Sequence, residues 1–464
     1  MTPNQSPDLS ILRVRTIDLR FPTSRFSIGS DAVNKDPDYS AAYCILETSA
    51  GVEGHGLTFT LGRGTELCVQ AIEYLARFVV GRSLREITTR MGDWSRELVS
   101  DTQFRWLGPE KGVIHLAAAA LINAVWDLWA KVEAKPLWRL LAELSPEETV
   151  AAIDFRYIED ALSPAEALAL LQAMVPGRAE RIAAMQRDGL PAYTTSVGWF
   201  GFSDDKVRRL CREALADGWT HFKLKVGGDP LDDLRRGRLV REEIGWNNRL
   251  MLDANQKWGV DEAIERTRQL AELQPWWMEE PTNPDDILAH ARIRRETGVR
   301  VATGEHCHSK VMFKQFFQAG AIDVCQIDSC RVAGVNENLA IILMAKKFGI
   351  PVCPHAGGVG LCEYVQHLSA WDFVCVSGSV ENRVIEYVDH LHEHFLTPVV
   401  IRNGHYMLPE TPGYSIEVRP ESLQIFAFPE GSSWRDEAAL PVTATTQNGK
   451  SSRAEPRLNF EVEV

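Results

Sequence analysis

Nothing in this 464-residue chain reads as an apolar run meant to span a bilayer, and its start lacks the charged, apolar, then small-residue order of a signal peptide. Neither membrane insertion nor export is expected. Basic residues are in deficit. Fifty Lys and Arg face 63 Asp and Glu, a formal charge of −13, which argues against nucleic acid or an anionic membrane as partner, since both require clustered cations. Cysteine is sparse and unpatterned: nine residues, an odd number, with no CxxC pair. That speaks against a disulfide scaffold and for a reduced, cytoplasmic setting. What remains is a chain 45% hydrophobic, long enough for two domains. An anionic small-molecule substrate would have to be held by local charge, from a bound metal or from paired lysines.

The most regular feature lies between residues 221 and 355. Six short apolar runs, HFKLK, LMLD, WWMEE, VATGE, VCQID and PVCPH, each end in or beside an ionisable side chain. They place Lys223 and Lys225, Asp253, Glu279, Glu305, Asp328 and His355 in order. Counted from Lys225, the steps are 28, 26, 26, 23 and 27 residues, the length of one strand, one helix and two loops. Amphipathic stretches fill the gaps, among them LDDLRRGRLVREEI, with Leu231, Leu234 and Ile244 expected inward, and NENLAIILMAKKF. Gly218, Gly298, Gly320 and Gly349 each separate a helical run from the next strand, where a left-handed C-cap is wanted. The pattern predicts a (β/α) barrel with polar groups at the carboxyl ends of its strands, the end that carries barrel chemistry.

The earlier part differs in kind. Residues 11–20, 41–48 and 52–60 read as strands of an antiparallel meander. Between the first two lies FPTSRFSIGSDAVNKDPDYS, too long for a hairpin turn and a candidate lid. Residues 113–129 are apolar on nearly all sides, as in a buried packing helix. We divide the chain into an α+β domain at 1–150, to which about 396–440 returns, a barrel at 151–395, and a polar, flexible tail at 441–464.

Asp253, Glu279 and Glu305 end three consecutive strands and so converge on one rim. One rim carboxylate is most simply an ion-pair partner; three in register repel, and a divalent cation resolves the repulsion. All-oxygen ligation favours Mg²⁺. Lys223 and Lys225, two apart on a strand, point the same way. Mutual repulsion would lower their pKa values and free one amine as a base. Asp328 and His355 end neighbouring strands, and a carboxylate on one imidazole nitrogen orients the ring for acid or base work. Blander readings suit the rest. His390, His392 and His394 lack metal-site spacing. His306, Cys307 and His308 cannot reach one ion from adjacent positions. Gly357, Gly358 and Gly360 read as a flexible turn rather than a phosphate loop.

These residues together, Lys-x-Lys at 223 and 225, Asp-x-Asn at 253 and 255, Glu-Glu-Pro at 279–281, Gly-Glu at 304–305, Asp328 and His355, resemble the mandelate-racemase-like branch of the enolase superfamily. RWLGPEKGVIHLA, DFRYI, EEPTNPDDI, PHAGGVGLCE and YVDHLHEHF are similar to the L-fuconate dehydratase group, and fungal L-galactonate dehydratases share many of them. The resemblance implies an α/β fold: a modified TIM barrel, (β/α)₇β, with an α+β amino-terminal capping domain completed by a carboxyl-terminal segment. It implies Mg²⁺ on Asp253, Glu279 and Glu305. It implies that Glu386, in protonated form, donates a hydrogen bond to an enolate, a role for which Glu381 is an equal candidate by pattern alone. Substrate contacts carried over are Gly29, Ser30, Asp31, Tyr39, Lys223, Asn255, Glu305, His355 and Glu386. The implied activity is Mg²⁺-dependent dehydration of an acid sugar by a homo-oligomer, with Lys225 and His355, oriented by Asp328, as base and acid in either assignment. A racemase or epimerase on the same residues, or a non-catalytic binding protein, are the other readings.

Overall fold

A computed structural model describes residues 9–438 except Pro109; the tail expected at 441–464 lies outside them. Three antiparallel strands open the chain: β1 (Ile11–Arg20), β2 (Ser40–Thr48) and β3 (Gly54–Thr60). Residues of both parities in the central β2 are buried, because the sheet is covered on both sides. Helix Gly112–Val132 packs against β3. Its run of alanines leaves room for the strand, and the strand answers with glycine. A Cβ at Gly56 would stand 2.1 Å from the Ala120 carbonyl oxygen, and one at Gly54 2.5 Å from that of Ala124.

By length and hydropathy this helix could cross a membrane, contrary to the expectation that no such stretch exists. It is instead buried in protein, and polar side chains along it reach partners in other elements. Asp127 accepts the backbone N–H groups of His55 at 2.8 Å and Tyr414 at 2.6 Å. Asn123 accepts that of Val335 at 3.1 Å, and His115 Nε2 lies 2.6 Å from Glu337. One helix therefore ties the first sheet to the barrel and to the carboxyl-terminal segment.

The barrel strands β4 (Leu190–Thr194), β5 (His221–Lys225), β6 (Arg249–Asp253), β7 (Met278–Glu279), β8 (Val301–Thr303) and β9 (Val324–Cys325) are parallel neighbours in that order. Residues 352–355 follow through the bridges Cys325–Val352 and Asp328–His355. Then β10 (Ile385–Tyr387) closes the ring onto β4. Seven helices, Asp204–Ala216, Pro230–Ile244, Val260–Leu270, Ile287–Thr297, Lys310–Gln318, Gly334–Phe348 and Leu361–Asp372, make the crossovers, which gives the (β/α)₇β arrangement. Gly218, Gly298, Gly320 and Gly349 all have positive φ, as helix-terminating glycines require.

Two expectations need correcting. Leu231 is 80% exposed; it sits in the first turn after the Asp229 cap, and the buried face of its helix runs instead through Asp233, Arg236, Gly237, Val240 and Ile244. Within 396–440, not all of the chain returns to the first domain. The hairpin β11 (Val400–Arg402) and β12 (His405–Met407) pairs with β4 at the amino-terminal end of the barrel. Contacts with the first domain come from farther on, at the bridges Pro136–Gly413 and Leu19–Ala427.

The close approach of β3 to the long helix makes Gly56→Ala a test of this packing. Forcing the two apart should lower stability by about 1–3 kcal/mol, read as a drop in the thermal denaturation midpoint.

Candidate active site

Strand register brings the ionisable side chains together. Lys225 pairs in register with Asp253, and Asp253 with Glu279, so the ends of β5, β6 and β7 are level. Glu305 reaches the same rim two residues past β8. It does so across Gly304, whose φ is 154° and where a Cβ would lie 2.4 Å from the Gln326 carbonyl oxygen. One oxygen from each of Asp253, Glu279 and Glu305 lies within 4.8 Å of the others. Lys225 Nζ is 2.6 Å from Asp253 Oδ2, and Lys223 Nζ is 2.7 Å from Glu279 Oε1, 2.6 Å from Glu386 Oε1 and 3.4 Å from Asp253 Oδ2. Trp277 Nε1 donates to the other Glu279 oxygen at 3.0 Å, and Asn255 N–H to Asp253 Oδ1 at 2.9 Å.

Burial pushes the Glu279 carboxyl up to about 8, and the neighbouring Asp253 charge pushes the same way while Lys223 opposes. Glu305 is raised for the same two reasons, desolvation and a facing carboxylate, here Glu280. Carboxyl groups that resist ionisation because they crowd one another are what a hard dication requires. The residues present therefore fit an oxygen-ligated divalent cation, held by Asp253, Glu279 and Glu305.

The lysines do not behave as their spacing suggested. Burial disfavours the Lys225 ammonium and Lys223 repels it, yet Asp253 together with Asp31 and Glu305 overcomes both, and the pKa rises. Lys223 is raised as well, with Glu279 and Glu386 overriding burial. Cross-strand carboxylates, invisible in a linear spacing, decide the sign. Lys223 is 1% exposed and lies behind the carboxylates instead of lining the cleft, so its assignment as a substrate contact is not reproduced. Glu386 is corrected too. Burial raises it, but Lys223 and His355 bring it below the ordinary value, and Oε2 accepts the Ala356 N–H at 2.9 Å. It stands as an ionised acceptor, not a protonated donor.

On the other flank, His355 Nδ1 is 2.8 Å from Asp328 Oδ2, and its Nε2 faces Glu305 at 3.6 Å and Glu386 at 3.9 Å. Burial opposes a charged ring, but Glu305, Asp328 and Glu386 push His355 up to about 10. Between the flanks is a cleft of about 240 Å³, smaller than the ~300–1,000 Å³ of drug-sized sites. The barrel supplies Lys225, Asn255, Glu305, Asp328, His355 and Glu386, and the first domain supplies Gly29, Asp31, Tyr39 and Phe59. The loop at 21–40 thus forms part of the wall.

Gly29 has φ +78° and lies under the Tyr39 ring, 2.5 Å from where its Cβ would be. Asp31 faces the cleft while capping its own loop, accepting Val33 N–H at 2.7 Å and Asn34 N–H at 2.6 Å. Ser30 is not brought to the cleft; its hydroxyl is spent on the carbonyls of Ser27 and Phe200, each at 3.0 Å. Asn255 Oδ1 is buried without a partner and Asn255 has φ +44°, a strained residue holding an acceptor at the site.

The sequence reading missed three residues here. Glu280, fully buried beside Glu279, pairs with His306 Nδ1 at 3.0 Å and with Gln256 Nε2 at 2.8 Å. His306 lines the cleft, whereas Cys307 is core and His308 turns to Asp285 at 3.5 Å. Arg331, three residues past Asp328, also lines the cleft; an isolated arginine in a loop carries no pattern. His390 packs at 5.4 Å from the Tyr39 ring, His392 bonds Glu363 at 2.7 Å, and His394 bonds Ser422 at 3.0 Å, so this trio supports the rim. Gly358 is a close-packing position, with the Phe59 ring 2.6 Å from its would-be Cβ.

Residues 32–142 match the family described as the mandelate racemase / muconate lactonizing enzyme N-terminal domain, and 206–422 match the enolase C-terminal domain-like family. The chain is 53% identical to the L-galactonate dehydratase of Hypocrea jecorina over 444 residues, 94% of this chain and 98% of that one. It superposes on the crystal structure of human mitochondrial enolase superfamily member 1 with a TM-score of 0.92 at 53% identity, covering 93% and 99% of the two chains. A Streptomyces coelicolor racemase crystallised with bound magnesium gives a TM-score of 0.71 at 24% identity, covering 90% and 99%, and shares the fold.

Because burial and the Asp253 charge push Glu279 up to about 8, cation binding there is expected to release a proton. Mg²⁺ affinity measured by calorimetry should therefore tighten as pH rises towards 8, by about tenfold per unit for one proton released. A flat pH dependence would contradict the crowded-carboxylate account.

Proposed function

Since the chain belongs to the enolase superfamily, with the amino- and carboxyl-terminal domains of its mandelate racemase / muconate lactonizing enzyme branch, we propose that it is a Mg²⁺-dependent sugar-acid dehydratase. The reaction is conversion of a six-carbon aldonate, L-galactonate or L-fuconate, to its 2-keto-3-deoxy acid. One observation carries this reading. Lys225 and the His355–Asp328 pair flank the three-carboxylate cluster in strand order, and both open into a single cleft. The similarity to an enzyme named L-galactonate dehydratase over nearly the whole chain supports the substrate class.

A carbon acid beside a carboxylate is very weakly acidic, so charge must be absorbed as the C2 proton leaves. Mg²⁺ held by Asp253, Glu279 and Glu305 would supply that stabilisation when bound. Lys225 is assigned the C2 proton. Held as an ammonium by Asp253 at 2.6 Å, Lys225 must first give up a proton to solvent; Asp253 would favour that loss if it shared its charge with a bound cation. His355, cationic at neutral pH, gives its proton to the departing 3-hydroxyl, which leaves as water. Asp328 holds the ring in place throughout. The enol left behind tautomerises to the 2-keto acid, and deprotonation of His355 and protonation of Lys225 balance.

Screening six-carbon aldonates with Mg²⁺ for a semicarbazide-reactive 2-keto acid tests the reading; a racemase would return an epimer and no keto acid. Lys225→Ala and His355→Asn should each lower turnover by roughly 10²–10⁴-fold while Mg²⁺ still binds. A near-wild-type rate in either variant would remove that residue from the mechanism. Exchange of the C2 proton with D₂O by His355→Asn identifies Lys225 as the base, and its absence there but presence in Lys225→Ala reverses the assignment.

A further inference from the structure

The cleft holds a cation that the mechanism leaves unused. Lys225, His306 and His355 each lie against a carboxylate. The Arg331 side chain makes one hydrogen bond, from Nε to the Glu305 carbonyl oxygen at 3.2 Å. Among the described residues its two terminal nitrogens have no acceptor in hydrogen-bond range and no carboxylate in ion-pair range. The backbone that carries them is nonetheless held in place. Asp328 Oδ1 accepts the backbone N–H groups of Cys330 at 2.8 Å and Arg331 at 2.7 Å, using the oxygen not engaged by His355. Strand β3 of the first domain docks on the same turn, with Phe59 N–H on Cys330 Sγ at 3.2 Å. Arg331 therefore stands at the seam between the two domains, where Thr60, Leu61 and Leu116 complete the cleft wall.

A planar fork anchored through Nε, whose terminal donors have no partner among the described residues, suits two oxygen atoms of a ligand. The carboxylate end of a sugar acid is directed to the Asp253–Glu279–Glu305 cluster, so the seam faces the other end. We propose that Arg331 grips oxygen atoms of the substrate beyond C3, making it the residue that selects for an oxygen-rich distal chain. This rests on the sugar-acid reading above. Terminal hydroxyls of an aldonate and the second carboxylate of an aldarate offer the same chemistry.

The test reads binding apart from turnover. On a Lys225→Ala background with saturating Mg²⁺, titration calorimetry with L-galactonate and with galactarate is compared with and without Arg331→Gln. Loss of the fork should weaken L-galactonate by roughly 10- to 100-fold, the range for hydrogen bonds to a charged group. Mg²⁺ affinity and the melting temperature should stay unchanged, and Arg331→Lys should recover part of the loss. A larger loss for galactarate assigns the fork to a carboxylate, and a smaller one to hydroxyls. Unchanged L-galactonate binding in Arg331→Gln, or an equal loss of Mg²⁺ affinity, overturns the proposal, as does failure of both acids to bind Lys225→Ala. Keto-acid formation by the wild type is scored separately. Formed without Arg331-dependent binding, it leaves the dehydratase reading standing alone; Arg331-dependent binding without it leaves the grip and removes the dehydratase.

Discussion

Everything at the barrel mouth depends on like charges brought close together where little of them meets solvent. Parallel pairing levels Asp253 with Glu279 and delivers Glu305 to the same rim, where separate ionisation of all three is unfavourable. The protein offsets part of this repulsion itself, with Lys223 shared among Asp253, Glu279 and Glu386. That buried lysine is a counter-ion to the cluster. With Lys225 on Asp253 and His355 facing Glu305, it lets the fold form with the carboxylates in place.

The same crowding sets the protonation states that the chemistry starts from. Lys225 is held charged by Asp253, and His355 is held charged by Glu305, Asp328 and Glu386. Both are therefore cations before a ligand arrives. Both lean on members of the carboxylate trio, Lys225 on Asp253 and His355 on Glu305, and His355 has Asp328 besides.

Closure of the cleft is a separate physical problem, solved by glycine and by one long helix. Gly54 and Gly56 let β3 lie against helix Gly112–Val132, and Gly358 lets Phe59 press onto the loop after His355. The helix then anchors to the barrel through His115 and Asn123. These contacts fix the first domain over the barrel, so that Gly29, Asp31 and Tyr39 form one wall of the cleft and the barrel residues the other.

Much of this was legible in the chain. Strand–helix periodicity and the helix-ending glycines were enough for the barrel, because both arise from local geometry that repeats with the sequence. The carboxylate trio and the Asp328–His355 pair were legible for the same reason: they sit at equivalent points of a repeating unit. What the sequence by itself determined, then, was which side chains stand at the mouth and in what order. Their charge states, the withdrawal of Lys223 and Ser30 from the cleft, the ionised form of Glu386 and the exposure of Leu231 were decided only in the tertiary structure. Each depends on neighbours from other strands or from the other domain. An electrostatic field and a packing face are sums over such neighbours, and linear spacing does not contain them. Arg331 shows the limit most plainly, since its free fork acquires meaning only where the two domains meet.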